Sequence, residues 1–257
     1  MKKIKIGVIG AGSFASRRHI PVIAKSPDAE LVALCRRDKE MLQKMAKHFS
    51  CDYTFTDYRD MLDSVEMDAV LIATPHALHY ENTMLALEKG LHVLVEKPLA
   101  LKADEAKEIA EYSKNKGLLV VVAMNPPFWQ HTNYVKEIIE SDGIGEIEEV
   151  SISWVGNAEV VFGLAPMPEN MPGVVPPTIF RGDPKLGGGG HFVDSGSHLV
   201  SELFWTTGLN AREISAIMDD PEFDMRTSAS IKLDNDAVCN ITNIGNSKVA
   251  RRIYNIY

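Results

Sequence analysis

The sequence is poor in cysteine, with only Cys35, Cys51 and Cys239 among its 257 residues. They are odd in number and widely scattered, and no CxxC pair exists, so neither a disulfide framework nor a structural zinc site is indicated. Buried or half-buried free thiols are the expectation, and no metal site is expected. Positive charge is also in short supply. A formal net charge of -8 offers nucleic acid no basic footprint, although it leaves room for a local cationic pocket facing an anionic cofactor. Long hydrophobic runs are missing as well. Lys2, Lys3 and Lys5 open the chain, but the apolar run that follows is broken by Gly10 and Gly12. That run is too short for a signal peptide or a membrane span. The expectation is a cytoplasmic protein with no membrane partner. What remains is an ordinary globular composition, 45% hydrophobic and 24% charged, long enough for two modest cores.

Over the first 124 residues, short β-branched apolar runs alternate with longer helical patterns. Residues 4–9, 31–35, 69–73, 92–95 and 118–123 read as buried strands, with helices over 14–25, 39–48, 77–89 and 103–116. Strands separated by helices imply right-handed crossovers and a mainly parallel sheet. Gly90 and Gly117 fall where helices should stop. After Met124 the grammar changes. A short amphipathic helix over 134–141 is closed by Asp142-Gly143, and 146–155 is strand-like. An irregular stretch rich in Pro, Met and Gly runs over 157–185, and loops this long inside a domain are usually functional. The glycine run 187–190 leads into a helix from about 195 to 206, followed by strands over 213–218, 227–232 and 237–244. The expected fold is α/β: a doubly wound parallel sheet over 1–124, then an α+β domain with a mostly antiparallel sheet over 125–257.

Three motifs carry chemistry. Gly10-Ala11-Gly12-Ser13-Phe14-Ala15 follows the first strand and opens the first helix. The first glycine permits the tight turn, the second lets backbone approach a pyrophosphate, and the small third residue lets helix and sheet pack closely. Such a pattern also serves purely structural turns, but strand, helix and N-terminal placement agree here on a dinucleotide-binding Rossmann domain. At the end of the second strand an NAD site usually carries a carboxylate for the ribose hydroxyls. This chain has Cys35-Arg36-Arg37-Asp38. Arg36 and Arg37 can pair with a 2′-phosphate and stack on adenine, which favours NADP over NAD. The plainer reading makes both arginines solvated and Asp38 a helix cap, or Asp38 a ribose ligand. Glu96-Lys97-Pro98 follows the 92–95 strand, at the carboxyl end, where open α/β sheets hold ligands. There Lys97 can act as an orienting donor or proton relay, or lie in a simple surface turn. Last, Gly190-His191-Phe192-Val193-Asp194-Ser195-Gly196-Ser197-His198 sets Asp194 and His198 four apart, on one face if both lie in a helix's opening turn. A carboxylate beside an imidazole suits a general acid/base. An N-cap at Asp194 and a core histidine at His198 would account for the same residues.

Together these motifs resemble the glucose–fructose oxidoreductase/inositol dehydrogenase/MocA-like (Gfo/Idh/MocA) family of dehydrogenases. The likeness also takes in Ala73-Thr74-Pro75-His76-Ala77-Leu78-His79 and the run from His92 to Ala100, and extends from Ile4 to about Tyr254. His76 and His79 read by themselves as exposed polar residues at a helix start. The resemblance implies that Gly10, Gly12, Ser13 and Phe14 border the pyrophosphate and that Arg36 and Arg37 face the adenosine phosphate. It implies Thr74, Pro75, His76 and His79 along the cofactor, with Glu96 and Lys97 near the nicotinamide ribose. Asn125 would sit near the nicotinamide or the substrate. Lys97 would relay protons and orient substrate, His198 would serve as general acid/base, and Asp194 would bind substrate or tune the histidine. Arg181 and His191 are further substrate contacts on this view. The implied reaction moves a hydride between nicotinamide and a secondary alcohol or carbonyl of a sugar, cyclitol or related diol, in a homo-oligomer formed through the C-terminal sheet.

Members of the family continue beyond this point, and the segment from Ala250 to Tyr257 reads as a strand interrupted midway, so the final strands are expected to be missing. Two other functions share the motifs. One is a dinucleotide-dependent glycosidase that oxidises its sugar transiently. The other is a cofactor-sensing regulator without catalysis, against which the joint presence of Lys97, Asp194 and His198 argues.

Overall fold

A computed structural model describes residues 2–141, 143–169 and 174–257. Asp142, expected to close a helix with Gly143, lies outside the described residues, as do positions 170–173 of the irregular stretch. The chain divides into two compact units, Met1–Ala123 with Met167–Phe180 and Met124–Pro166 with Arg181–Tyr257.

The first unit is the doubly wound sheet. Its strands are β1 (Ile4–Ile9), β2 (Ala29–Cys35), β3 (Tyr53–Phe55), β4 (Ala69–Ile72), β5 (His92–Val95) and β6 (Val120–Val122). All pair in parallel in the order β3-β2-β1-β4-β5-β6. The connecting helices are α1 (Ser13–Arg18), α2 (Ile20–Lys25), α3 (Lys39–Phe49), α4 (Tyr58–Ser64), α5 (His79–Glu88) and α6 (Ala103–Lys116). Helices on both faces explain why the strands read as unbroken apolar runs. Val8, Leu34 and Leu71 point into one core with Ile20, Leu42 and Met45. Their neighbours Ile9, Val70 and Ile72 point into the other, with Leu87 and Ile109.

Three local departures have physical causes. The helix expected over 14–25 breaks at His19, because Pro21 near the start of α2 has no N–H to continue the ladder. β3 and α4, absent from the sequence reading, are three and seven residues long, too short for a periodic signal. Val174 and Val175, expected in the second domain, group with the first unit: Val175 packs into the core beside Val8 and Ala15, and Val174 N donates to Ser16 Oγ at 3.3 Å. Burying one valine is worth about 1.5–3 kcal/mol, enough to tether this stretch.

The second unit holds α7 (Gln130–Glu140), β7 (Glu149–Asn157), α8 (Pro184–Gly187), α9 (Ser197–Thr207) and strands β8 (Ala211–Met218), β9 (Arg226–Leu233), β10 (Val238–Ile244) and β11 (Asn246–Ile256). Sheet order is β11-β7-β10-β9-β8, antiparallel except for the parallel β10–β7 pair. On β9 the buried residues alternate with exposed ones, as one covered face requires. Val150, Ile152, Ile231, Leu233 and Ile241 pack there with Leu199 and Leu203 of α9. The three cysteines are free and buried, and burial pushes the thiols of Cys35 and Cys239 up to about 12, where they stay protonated and inert. No helix among the described residues is long and apolar enough to cross a membrane.

Candidate nucleotide-binding and acid–base site

The turn between β1 and α1 is held from behind. Gly10 N and Ala11 N both donate to Cys35 O at 3.0 Å, which fixes the turn against the end of β2. Gly10 has φ 85, and a Cβ there would lie 2.6 Å from Ala73 C and Thr74 N. Its glycine is therefore demanded by the protein itself. Gly12 differs. Its φ of -105 is open to any residue, and a Cβ would meet nothing among the described residues closer than Arg36 Nη1 at 3.6 Å and Gly10 O at 3.7 Å. The space in front of Gly12 is a cradle that a side chain would fill, and the residues around it suit a phosphate group. Ser13 is buried beside it, while Phe14 is 43% exposed and meets the His19 ring edge-on at 5.6 Å.

Arg36 lies over this turn. Its Nη1 donates to Ala11 O at 3.2 Å, and its Nε is buried with no partner among the described residues. Burial lowers the Arg36 pKa while Asp38 opposes the shift, and a guanidinium stays charged throughout. Arg37 is exposed. Asp38 caps α3, accepting from Met41 N at 3.0 Å. A carboxylate engaged at a helix start has fewer lone pairs left for a ribose.

Beyond β4 and β5 the loops are pinned by histidines. Thr74 Oγ1 donates to Asn82 Oδ1 at 2.9 Å. His76 is buried against Phe180 at 5.1 Å and His79 at 5.6 Å. His79 is wholly buried, its Nδ1 2.6 Å from Pro98 O and its Nε2 2.9 Å from Thr74 O. The expectation that these histidines are exposed at a helix start is thus corrected, and with 0% exposure His79 sits behind the two loops rather than on their open side. Glu96 Oε1 is 2.5 Å from His19 Nε2, and its Oε2 accepts from Lys97 N at 3.3 Å. Lys97 is itself buried, and its peptide bond to Pro98 is cis.

In the second unit the helix expected from 195 begins instead as a π-helical turn, Phe192–Gly196, that runs into α9. Asp194 lies inside this turn and is not the cap. Asp194 thus belongs to the π turn and His198 to the first turn of α9. Arg181 Nε donates to Asp194 Oδ1 at 2.7 Å. His198 opens α9 half-buried, 6.0 Å from the Trp154 ring. His191 is buried. Ser195 Oγ lies 3.0 Å from its Nε2 and 3.3 Å from Asn243 Oδ1, and a Cβ on Gly245 would strike its ring at 2.6 Å. Asn125 is exposed just before a 3₁₀ turn at Pro126–Phe128. His19 and Asn82 went unnoticed in the sequence, where a lone His and Asn inside helical patterns carry no signal. Among the described residues no cluster of three His, Cys, Asp or Glu side chains is placed to hold a metal ion.

Comparison with known proteins gives the family. The family model described as "Oxidoreductase family, NAD-binding Rossmann fold" matches residues 4–124, and the "GFO/IDH/MocA C-terminal domain" matches residues 132–256. The chain belongs to the Gfo/Idh/MocA oxidoreductase family. This Gfo/Idh/MocA chain is 32% identical over 190 residues to the dTDP-3,4-didehydro-2,6-dideoxy-alpha-D-glucose 3-reductase of Saccharopolyspora spinosa, covering 73% of this chain and 52% of the relative. To the D-glucoside 3-dehydrogenase of Escherichia coli K12 it is 28% identical over 208 residues, covering 81% and 55%. It therefore spans about half the length of the curated relatives it matches. Among solved structures, the scyllo-inositol dehydrogenase of Lactobacillus casei with bound NAD(H) and scyllo-inositol superimposes with a TM-score of 0.82 at 21% identity, covering 99% of this chain and 74% of that one. At that identity the likeness speaks for the fold.

Proposed function

We propose that the protein is a nicotinamide-dependent oxidoreductase that prefers NADP and acts on a secondary alcohol or carbonyl of a sugar or cyclitol. The observation that carries this reading is the Arg36 guanidinium over the Gly10–Gly12 turn, where its Nη1 bonds Ala11 O and its Nε is buried with no partner among the described residues. A planar, permanent cation beside an open phosphate cradle suits an adenosine 2′-phosphate. With Arg37 exposed alongside and Asp38 engaged as a cap, the end of β2 offers a phosphate more than it offers a ribose diol.

Under this reading Gly12, Ser13 and Phe14 border the pyrophosphate, and Thr74, Pro75 and His76 line the path of the cofactor. When bound, the nicotinamide supplies or accepts the hydride. The chain's own groups orient the substrate and move one proton. Lys97 orients the hydroxyl and relays its proton, with Glu96 beside it. His198 serves as general acid/base, and Asp194, aimed by Arg181, orders substrate hydroxyls, with Asn125 as a further contact. The names of the relatives support the substrate class, since a sugar 3-reductase and a glucoside 3-dehydrogenase both act at a sugar carbon.

The test is cofactor-linked turnover across a panel of hexoses, glucosides, keto-sugar nucleotides and inositols. Wild-type protein should turn over at least one, and Lys97→Met and His198→Asn should each lose on the order of 10²–10⁴ in rate. Full activity in both variants would refute the assigned roles.

A further inference from the structure

The residue on either side of Lys97 is held by a histidine of the same unit. We infer that His19 and His79 are positioning residues for Lys97, each acting through a different ring nitrogen. The inference rests on the reading of Lys97 as proton relay.

His19 stands at the break between α1 and α2, and its Nε2 is 2.5 Å from Glu96 Oε1, with the two side chains 19% and 14% exposed. The other Glu96 oxygen accepts from Lys97 N. His79, the first residue of α5, reaches Pro98 O with Nδ1 at 2.6 Å and Thr74 O with Nε2 at 2.9 Å. Positions 96 and 98 are thus clamped from two separate elements. Lysine carries its ammonium on a flexible four-carbon stem. A stem of that length delivers a proton to one place only if its backbone root does not drift, and a misplacement of about 1 Å can cost about 10²-fold in rate. Burial holds His79 below its usual pKa, with Glu96 and Lys97 facing it and the His76 ring packed at 5.6 Å. Of the two ring contacts, the one from Nδ1 to Pro98 O is the shorter, and it is the one that holds position 98.

Amide side chains separate the two nitrogens, because Asn places its NH₂ near the Nδ1 position and Gln reaches the Nε2 position. At residue 79, Asn should retain most of the function while Gln and Leu lose it. At residue 19 the order reverses: Gln should retain function while Asn and Phe lose it. In the losing variants, amide hydrogen exchange should quicken about tenfold at Glu96 and Lys97 and not across the unit. Their kcat should fall about tenfold or more, with KM and cofactor affinity within about threefold. If Asn and Gln behave alike at either position, or if exchange quickens evenly over the whole unit, the inference is wrong. Should wild-type protein turn over no substrate, the proposed function fails, and the exchange pattern still decides the roles of His19 and His79.

Discussion

A single methyl group separates the jobs of Gly10 and Gly12. Gly10→Ala forces a Cβ to 2.6 Å from backbone at Ala73 and Thr74, at φ 85, and should destabilise the first unit by about 1–3 kcal/mol. Gly12→Ala meets no such clash and should leave thermal stability unchanged while weakening dinucleotide binding about tenfold or more. Differential scanning fluorimetry and a cofactor titration on both variants check the contrast. His79 makes a pH prediction. Burial, outweighing the carbonyl contacts, holds its pKa below the ordinary 6.5, so the unfolded chain takes up the proton first. Its contribution to stability is complete above pH 6.5 and is lost as pH falls through that value toward the folded pKa. His79→Asn should flatten this part of the profile, as urea unfolding over about pH 5–8 would reveal. Gly10, Gly12 and Lys97 stand out in the sequence because glycine and proline punctuate strand ends. The contacts of His19 and His79 do not show there, since these histidines' partners lie far along the chain.

Among elements, apolar runs bounded by glycine or proline and long amphipathic helices stand out in the sequence, while β3 and α4 do not. β1, β5 and α6 run as their apolar periods indicate. The helix expected from about 195 misses the Phe192–Gly196 turn, because a π turn differs from an α turn by one residue of hydrogen bonding and leaves no mark on composition. The same scale decides what Asp38 does. As the cap of α3, Asp38→Ala should cost about 1 kcal/mol of stability. As a ribose ligand it would instead weaken cofactor binding. The account predicts the first effect without the second, read from chemical denaturation and titration of one variant. In the second unit, Arg181→Ala frees the Asp194 carboxylate from its 2.7 Å partner and should raise KM for substrate with little change in cofactor affinity.

The whole molecule divides into two units, and the sequence changes from βα alternation to strand-rich grammar near residue 124. The return of Val174 and Val175 to the first unit was not visible, because a lone Val-Val in a Pro-rich stretch has no period. A dinucleotide held by the first unit should protect that unit. At about one hundred times Kd it adds about 2.7 kcal/mol, seen as slowed hydrogen exchange in the sheet of β1 to β6. The proposed NADP preference rests on an arginine-flanked turn in an otherwise acidic protein. Fluorescence titration of wild-type protein and an Arg36→Ala/Arg37→Ala variant with NADPH and NADH tests it most directly. The account predicts tighter NADPH binding by the wild type, and loss of about 1.5–3 kcal/mol of it per charged hydrogen bond removed, with NADH little affected. Equal affinities that the variant leaves untouched, or no binding of either nucleotide, would contradict it.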